Sequence, residues 1–262
     1  MIDTHCHLDI IEEQGQDIQS SLKKSLESGV TNIVQIGINY ENSLNAKKIA
    51  NLYNKDIQLN YTIGCHPADD IQESEIKQII NLIDSSTNED KFLGIGEIGL
   101  DYYHNKENIE FQKKTFREFI ELSISKNLPI VIHSRDAAED TFTILSEFKN
   151  KAFGVLHCFT YDAEYAKKFS ELGYYISFSG VVAFKNAKDV QEAAREIPLK
   201  NILIETDAPF LSPPPFRGKR NDSSNLKYIL EKIFSLRTEH NSEVQETIYN
   251  NSINFISKKK VE

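Results

Sequence analysis

The amino-acid sequence predicts a parallel (β/α)8 (TIM) barrel. Eight short apolar runs rich in Val and Ile alternate with longer amphipathic stretches along the 262 residues. Such near-continuous apolar runs are typical of strands buried on both faces, and about 250 residues is the usual length of one barrel. An open doubly wound sheet also holds eight strands, so the choice depends on where the polar side chains lie. We expect strands at 2–7, 32–36, 59–63, 92–98, 129–133, 152–158, 174–179 and 201–207.

Helical periodicity fills the intervals between these runs. In the clearest stretch, 108–126, large apolar residues recur with the spacing of one helix face. After the last strand a proline-rich loop at 213–218 precedes the final helical stretches. We find no repeat or linker and predict a single domain over residues 1–262. The predicted helices are 17–28, about 42–54, 74–84, 108–126, 136–149, 162–172, 186–196, 223–237 and 242–257.

Composition and charge narrow the functional class. The chain is 40% hydrophobic and 26% charged, and no apolar run approaches the ~18 residues that cross a bilayer. The N-terminus lacks a basic region followed by an apolar stretch, so we expect no signal peptide, a cytoplasmic location and no membrane partner. The net charge of −9 excludes a protein coated in basic surface for wrapping nucleic acid. The negative charge does not exclude a phosphate-bearing substrate, because metal ions or a local basic patch can hold phosphate.

The three cysteines, Cys6, Cys65 and Cys158, each adjoin a histidine. An odd number in a chain of this kind argues against a disulfide framework. Where the histidines point into the barrel, the adjacent thiols must point the other way, since neighbours on a strand face opposite sides. We therefore expect the cysteines to be small buried hydrophobes between strand and helix rather than metal ligands.

Four histidines and two carboxylates stand at the ends of predicted strands. In a parallel barrel the C-terminal ends of all strands surround one mouth, where active sites form. Five strands would thus deliver imidazole or carboxylate groups to one place, which favours the barrel over the open sheet and predicts a divalent-metal site. The six candidate ligands are His5, His7, Glu97, His133, His157 and Asp207.

The number of candidate ligands indicates two ions. Residues two apart on a strand face the same side, so His5 and His7 can reach one ion between them. Six protein ligands exceed what one catalytic ion takes, because such an ion keeps open positions. We expect one ion held by His5, His7 and Asp207, a second held by His133 and His157, and Glu97 bridging both. Such a pair can activate water for a displacement, and Asp207 can accept the proton of that water.

At these residues the sequence resembles the TatD-type deoxyribonuclease family of amidohydrolase-like metal hydrolases. The similar segments run in order from residue 1 to beyond 220: Asp3-Thr4-His5-Cys6-His7-Leu8, Gly64-Cys65-His66-Pro67, Gly94-Ile95-Gly96-Glu97-Ile98-Gly99-Leu100-Asp101-Tyr102, Ile132-His133-Ser134-Arg135, His157-Cys158-Phe159, Phe178-Ser179-Gly180, Glu205-Thr206-Asp207-Ala208-Pro209 and Arg217-Gly218-Lys219-Arg220-Asn221.

The resemblance implies a divalent-metal-dependent nuclease that releases nucleotides from 3′ ends of single-stranded DNA. It also implies the same six metal ligands, residue by residue. At the position of Glu97, relatives with phosphotriesterase-like sites are expected to bridge with a modified lysine, whereas here a carboxylate is encoded. The chain departs from the family pattern after Asn221, where Asp222 and Ser223 replace a frequent Glu-Pro. We expect that difference to affect what is bound more than the metal site.

Several residues outside the ligand set are candidates for substrate contact. His66 follows the third strand and can donate to a substrate phosphate, although a loop histidine bonded to the backbone is the plainer interpretation. Arg135 can offer its planar fork to phosphate oxygens or form a structural ion pair. Glu205 shares strand parity with Asp207 and can orient a ligand or Arg135. His240 lies between two late helices, and we expect it on the surface.

Two further groups could contact a nucleic acid. Arg217, Lys219 and Arg220 form the most basic loop of the chain and could supply a local positive field, although charge runs are commonly only solvated. The aromatic residues at 102–104 follow Glu97 and could stack on an exposed base, although packing is the commoner role.

The same ligands allow a second class of enzyme. An amidohydrolase or an aminoacyl-nucleic-acid deacylase would use the same activated water, and a non-catalytic metal-binding protein is a third hypothesis. Mg²⁺ is expected for activity from the resemblance, whereas four imidazoles suit Zn²⁺ or Mn²⁺ better as bound ions. We expect a monomer that acts on DNA.

Overall fold

The computed structural model describes residues 1–53 and 57–261 and contains one eight-stranded sheet. Its strands pair in parallel in sequence order, each beside the next along the chain. An isolated parallel bridge between Cys6 and Ala208 joins the end of the first strand to the segment that follows the last. The predicted (β/α)8 barrel is therefore confirmed. The strands are β1 (Ile2–Cys6), β2 (Asn32–Gln35), β3 (Gln58–Ile63), β4 (Phe92–Asp101), β5 (Ile130–Arg135), β6 (Gly154–Leu156), β7 (Tyr175–Phe178) and β8 (Ile202–Ile204).

Helices follow the strands and form the outer layer. The predicted helices are present within a few residues of their expected bounds, but the prediction missed α1, a six-residue helix directly after β1. The helix predicted at 42–54 ends at a position outside the described residues. The helices are α1 (Leu8–Glu13), α2 (Ile18–Glu27), α3 (Tyr40–Leu52), α4 (Glu73–Ser86), α5 (Ile109–Lys126), α6 (Ala138–Glu147), α7 (Ala163–Glu171), α8 (Lys188–Glu196), α9 (Leu226–Leu236) and α10 (Asn241–Ile256).

Alternate residues along the strands belong to two different apolar clusters, because successive side chains point to opposite faces of the sheet. Residues of one parity, such as Ile33 and Ile132, pack against the helices in the larger cluster. Residues of the other parity, such as Val34 and Val131, form a smaller cluster that also contains Phe255 of α10. Both faces of the strands are thus buried, which explains their near-continuous hydrophobicity. Within the described part of the chain we find no helix with the length and apolarity that a membrane crossing requires.

The seam between the first and last strands is reinforced by polar contacts. The backbone N–H of His7 donates to the carbonyl of Ala208 at 2.8 Å, and that of Asp207 donates to the carbonyl of His5 at 3.0 Å. The buried carboxylate of Asp3 accepts the backbone N–H of Thr206 at 2.9 Å and its hydroxyl at 2.5 Å. These bonds fix the register of the two strands at the barrel mouth.

Candidate metal centre

Two ligand groups form around the carboxylate of Glu97 at the C-terminal mouth of the barrel. The first group faces one carboxylate oxygen of Glu97, and the second faces the other. All six side chains predicted as metal ligands take part, and His66 also lies within reach. The structure therefore brings the predicted ligand set together in one place.

The first group consists of His5, His7, Asp207 and one oxygen of Glu97. The Nε2 atoms of His5 and His7 are 3.2 Å apart, and Oδ1 of Asp207 lies 3.7 Å from each of them. Oε2 of Glu97 lies 3.4 Å from His5 Nε2 and 4.0 Å from His7 Nε2. Ligands about 2.1 Å from one tetrahedral ion lie roughly 3.4 Å from one another, so these spacings fit a shared ion.

The second group consists of His133, His157 and the other oxygen of Glu97. Oε1 of Glu97 lies 2.8 Å from Nδ1 of His133 and 2.7 Å from Nε2 of His157. The two imidazole nitrogens are 3.2 Å apart. Nε2 of His133 faces Oδ2 of Asp101 at 3.0 Å. Because a carboxylate only accepts, Nε2 carries the proton and the lone pair of Nδ1 points at Glu97. Two electron pairs that face each other at this distance repel unless a shared proton or an adjacent cation offsets their charge.

Neighbouring loops hold the backbone of Glu97. Its N–H donates to the carbonyl of Gly37 at 2.7 Å, and its carbonyl accepts the N–H of Cys65 at 2.9 Å. A side chain at Gly64 would place its Cβ 2.2 Å from the Glu97 nitrogen. Only glycine therefore allows this close approach of the two backbones, which centres Glu97 between the two ligand groups.

Burial keeps the first pair of imidazoles neutral. Desolvation and the neighbouring His157 lower the pKa of His5, and desolvation and His5 lower the pKa of His7 to about 3. Neutral imidazole is the form that binds a metal ion, because only that form has a free lone pair. The electrostatics of the pair therefore agree with its geometry.

Carboxylates surround the second group. Burial alone would lower the pKa of His157, but the charges of Glu97 and Glu205 outweigh it and raise that pKa well above its usual range. Burial would likewise raise the pKa of Glu97, but His157 and His66 hold it well below its usual range. Both shifts arise mainly because His157 and Glu97 face each other, so the carboxylates give this part of the mouth a negative potential.

Asp207 is buried and has an unusual backbone. Burial and the nearby carboxylates of Glu205 and Glu97 raise its pKa well above the usual range, against the opposing charge of His157. Its φ is +55°, in the left-handed region that costs a non-glycine residue about 1–3 kcal/mol. This conformation comes after β8, which ends at Ile204 rather than at the predicted residue 207. A left-handed turn beyond the strand therefore carries this candidate ligand.

Two carboxylates support the histidines of the second group. Glu205 Oε1 lies 3.4 Å from Nδ1 of His157 and accepts the backbone N–H of Cys158 at 2.5 Å. Glu205 therefore lies beside the ring of His157, where its predicted role of orienting a ligand stays a prediction. Asp101 holds Nε2 of His133, and sequence reasoning missed that role. The only signal for it was the segment Gly99-Leu100-Asp101, which lies past the predicted end of the fourth strand at residue 98.

The predicted substrate-binding side chains lie at the same mouth. His66 Nε2 is 3.4 Å from Oε1 of Glu97, and its Nδ1 accepts the N–H of Ala68 at 3.2 Å. Nε2 therefore carries the proton, so His66 faces the centre as a donor. Arg135 is exposed at the end of β5, and its guanidinium carbon lies 4.9 Å from the centre of the Tyr103 ring.

The cysteines follow the prediction at two of three positions. Cys6 and Cys65 are buried among apolar neighbours between the strands and the outer layer. Cys158 is partly exposed and has a φ of +42°, because β6 ends at Leu156 and strand alternation no longer applies. His240 is exposed directly before α10, as predicted. No cysteine belongs to a potential ligand group among the described residues.

Comparisons with known proteins agree with this geometry. The family model of TatD-related DNases matches residues 2–257. An uncharacterized metal-dependent hydrolase of Bacillus subtilis, YabD, is 40% identical over 90% of this chain and 91% of its own length. Another from Escherichia coli K12, YcfH, is 34% identical over 90% and 88%. The crystal structure of YJJV, a TatD homolog from Escherichia coli K12, superimposes with a TM-score of 0.90 at 26% identity, covering 98% and 97% of the two chains.

A (β/α)8 barrel with imidazole and carboxylate groups clustered at its mouth is the architecture of a metal-dependent hydrolase. The chain belongs to the TatD-related DNase family, and its clustered His and Glu side chains fit divalent metal binding.

Proposed function

We propose that the protein is a deoxyribonuclease that hydrolyses phosphodiester bonds at 3′ ends of single-stranded DNA with two divalent metal ions. The observation that carries the proposal is the position of Glu97, whose two oxygens face separate ligand groups at an open mouth. We propose His5, His7 and Asp207 for one ion, His133 and His157 for the other, and Glu97 as the bridge. Ions held there would supply Lewis acidity that activates water and stabilises charge on phosphate oxygens.

The side chains of the chain itself supply proton transfer and orientation. Asp207 directs Oδ1 at His5 and His7. Its other oxygen, Oδ2, would accept a proton from the attacking water once bound cations keep Asp207 ionised. Asp101 keeps the ring of His133 turned toward Glu97, and Glu205 places a negative charge 3.4 Å from Nδ1 of His157.

Donors around the mouth support a phosphate-bearing substrate. The proton on His66 Nε2 points at the centre, where it can donate to a phosphate oxygen. Arg135 is exposed at the rim and can bind phosphate with two parallel hydrogen bonds. The family model, which describes TatD-related DNases, supports DNA as the nucleic acid.

The proposal is tested with metal-free protein and single-stranded DNA labelled at either end. We expect cleavage with at least one of Mg²⁺, Mn²⁺ and Zn²⁺, inhibition by a chelator, and shortening from the 3′ end only. Glu97→Ala should abolish cleavage, whereas Glu89→Gln should retain it, because Glu89 pairs with Lys47 and Tyr61 away from the ligand groups.

Two results would contradict the proposal. Activity that survives Glu97→Ala would exclude Glu97 as the bridge. Absence of DNA cleavage with every metal would instead favour the amidohydrolase or deacylase alternative, and the next substrates would then be an aminoacylated nucleotide and a simple cyclic amide. The oligomeric state is measured in the same preparation by light scattering, where we expect a monomer.

A further inference from the structure

Two exposed aromatic side chains stand on opposite rims of the barrel mouth. Tyr103 follows β4 and Phe210 follows β8. In a barrel whose eight strands pair in sequence order, strands four positions apart lie across from each other. The exposed fraction is 56% for Tyr103 and 46% for Phe210. Each ring is therefore open to solvent, with the ligand groups between them.

Phe210 is fixed beside the first ligand group. Its ring centre lies 6.2 Å from that of His7, with the two planes inclined at 66°. Its backbone N–H donates to the carbonyl of Asp207 at 2.9 Å. Its carbonyl accepts the side-chain amide of Asn221 at 2.7 Å, and the same amide donates to the Thr206 carbonyl at 2.9 Å. Asn221 directly follows the basic loop at 217–220, in which Arg217 lies over the ring of Phe184 and Lys219 near that of Phe216.

Tyr103 is fixed beside the second ligand group in a similar way. Its backbone N–H donates to Oδ1 of Asp101 at 2.9 Å, and Oδ2 of the same carboxylate holds His133. Its ring packs edge-on against His104, with the ring centres 4.7 Å apart. The guanidinium of Arg135 lies 4.9 Å from the ring centre. Tyr103 thus combines an exposed aromatic ring with an adjacent cation.

We infer that Phe210 and Tyr103 are base-stacking subsites that hold unpaired nucleobases on the two sides of the scissile phosphodiester. This inference rests on the proposed function and adds the residues that would make the enzyme prefer single-stranded DNA over a duplex. Every base has a flat π surface, so aromatic stacking is strong and tolerant of sequence, while neighbouring cations bind the backbone phosphates. Bases inside a duplex are already stacked and paired, so these two rings favour single strands.

The test combines variants of the two rings with substrates that lack a base. Single-stranded oligonucleotides carry a stable abasic analogue on one or the other side of the cleaved bond. For intact DNA, Phe210→Ala and Tyr103→Ala should each raise KM by about 5- to 150-fold, the range for loss of one stacked base. For DNA without the matching base, the same variant should change KM by less than about twofold, because the contact is already absent.

Matched variants separate stacking from structural damage. Phe210→Trp and Tyr103→Phe keep an aromatic ring and should restore the KM of the unmodified protein. Tyr249→Ala is the control, since Tyr249 is also exposed but lies beside Met1 and Ile2 at the start of β1, away from the mouth. KM values for intact DNA that stay within twofold in both alanine variants would overturn the stacking subsites and leave the nuclease proposal standing. Failure of the unmodified protein to cleave DNA would overturn both.

Discussion

The carboxylate of Asp101 connects a candidate ligand to the rim of the mouth, and Asp101→Asn tests that connection. Oδ1 accepts the backbone N–H groups of Tyr103 and His104 at 2.9 and 2.7 Å. Oδ2 faces Nε2 of His133 at 3.0 Å and Nδ1 of His104 at 2.8 Å. Asparagine has the same shape as aspartate, but an amide NH₂ group, which only donates hydrogen bonds, replaces one of the two carboxylate oxygens.

The backbone bonds determine which way the asparagine turns. A flipped amide would lose two hydrogen bonds from the backbone N–H groups of Tyr103 and His104, each worth about 0.5–1.5 kcal/mol with a neutral acceptor. The amide nitrogen therefore faces His133, whose Nε2 must then accept a hydrogen bond instead of donating one. The proton moves to Nδ1, the atom that points at Glu97. Loss of such support commonly weakens metal binding about 10- to 100-fold, or about 1.4–2.7 kcal/mol.

Metal titration of the metal-free protein measures this effect without any assay of activity. Calorimetry with Zn²⁺ or Mn²⁺ should resolve two binding steps in the unmodified protein. We expect Asp101→Asn to weaken one step by about 10- to 100-fold and to leave the other within about threefold. His104→Ala serves as the control, because it removes the other partner of Oδ2 and leaves the bond to His133 in place.

Equal affinities in Asp101→Asn and the unmodified protein would refute the reasoning about the His133 proton. A similar loss in His104→Ala would assign the effect to the loop around residue 104 rather than to His133. Thermal unfolding of both metal-free variants checks that the barrel is intact, and we expect the melting temperatures to agree within a few degrees.

Two further predictions concern stability. Asp3→Ala removes a buried carboxylate and leaves the backbone N–H of Thr206 without its partner. Chemical denaturation should therefore show a loss of about 2–4 kcal/mol in the free energy of unfolding. A loss below about 0.5 kcal/mol would contradict the importance of the contacts between the first and last strands. Addition of Zn²⁺ or Mn²⁺ at 1,000 times the dissociation constant should stabilise the metal-free protein by about 4 kcal/mol, seen as a rise in melting temperature. That rise should be largely lost in Glu97→Ala, and an equal rise in this variant would contradict the assignment of Glu97 as a ligand.

The barrel could be predicted because the apolar runs of its strands and the helical spacing of apolar residues between them are both strong. Buried parallel strands and amphipathic helices leave distinct patterns, and both appear clearly along the chain. The six-residue helix Leu8–Glu13 was missed because so short a segment owes its helical structure to packing rather than to its own pattern. The ends of the shortest strands were also misplaced, since Asp207 and Cys158 turn into left-handed conformations that hydrophobic periodicity does not report.

The candidate site was predicted as a set of side chains but not as a network. His5, His7 and Glu97 could be found because strand ends share one mouth in a parallel barrel. The role of Asp101 depends on β4 running three residues further than its apolar run, in register with Arg135 of β5. The donor role of His66 depends on a bond to the backbone N–H of Ala68. Such contacts arise from tertiary geometry, which residue spacing alone does not contain.

The closure of the barrel has a consequence for how the protein is made. His5 and His7 lie at the end of the first strand, and Asp207 follows the last. The backbone of His5 is hydrogen-bonded to that of Asp207, and the backbone of His7 to that of Ala208. On a ribosome the first two side chains emerge about 200 residues before the third. The first ligand group therefore cannot exist on a partial chain, however much of the barrel has folded. Capture of an ion by this group would mark the joining of the first and last strands, and a product truncated before residue 207 would lack the group.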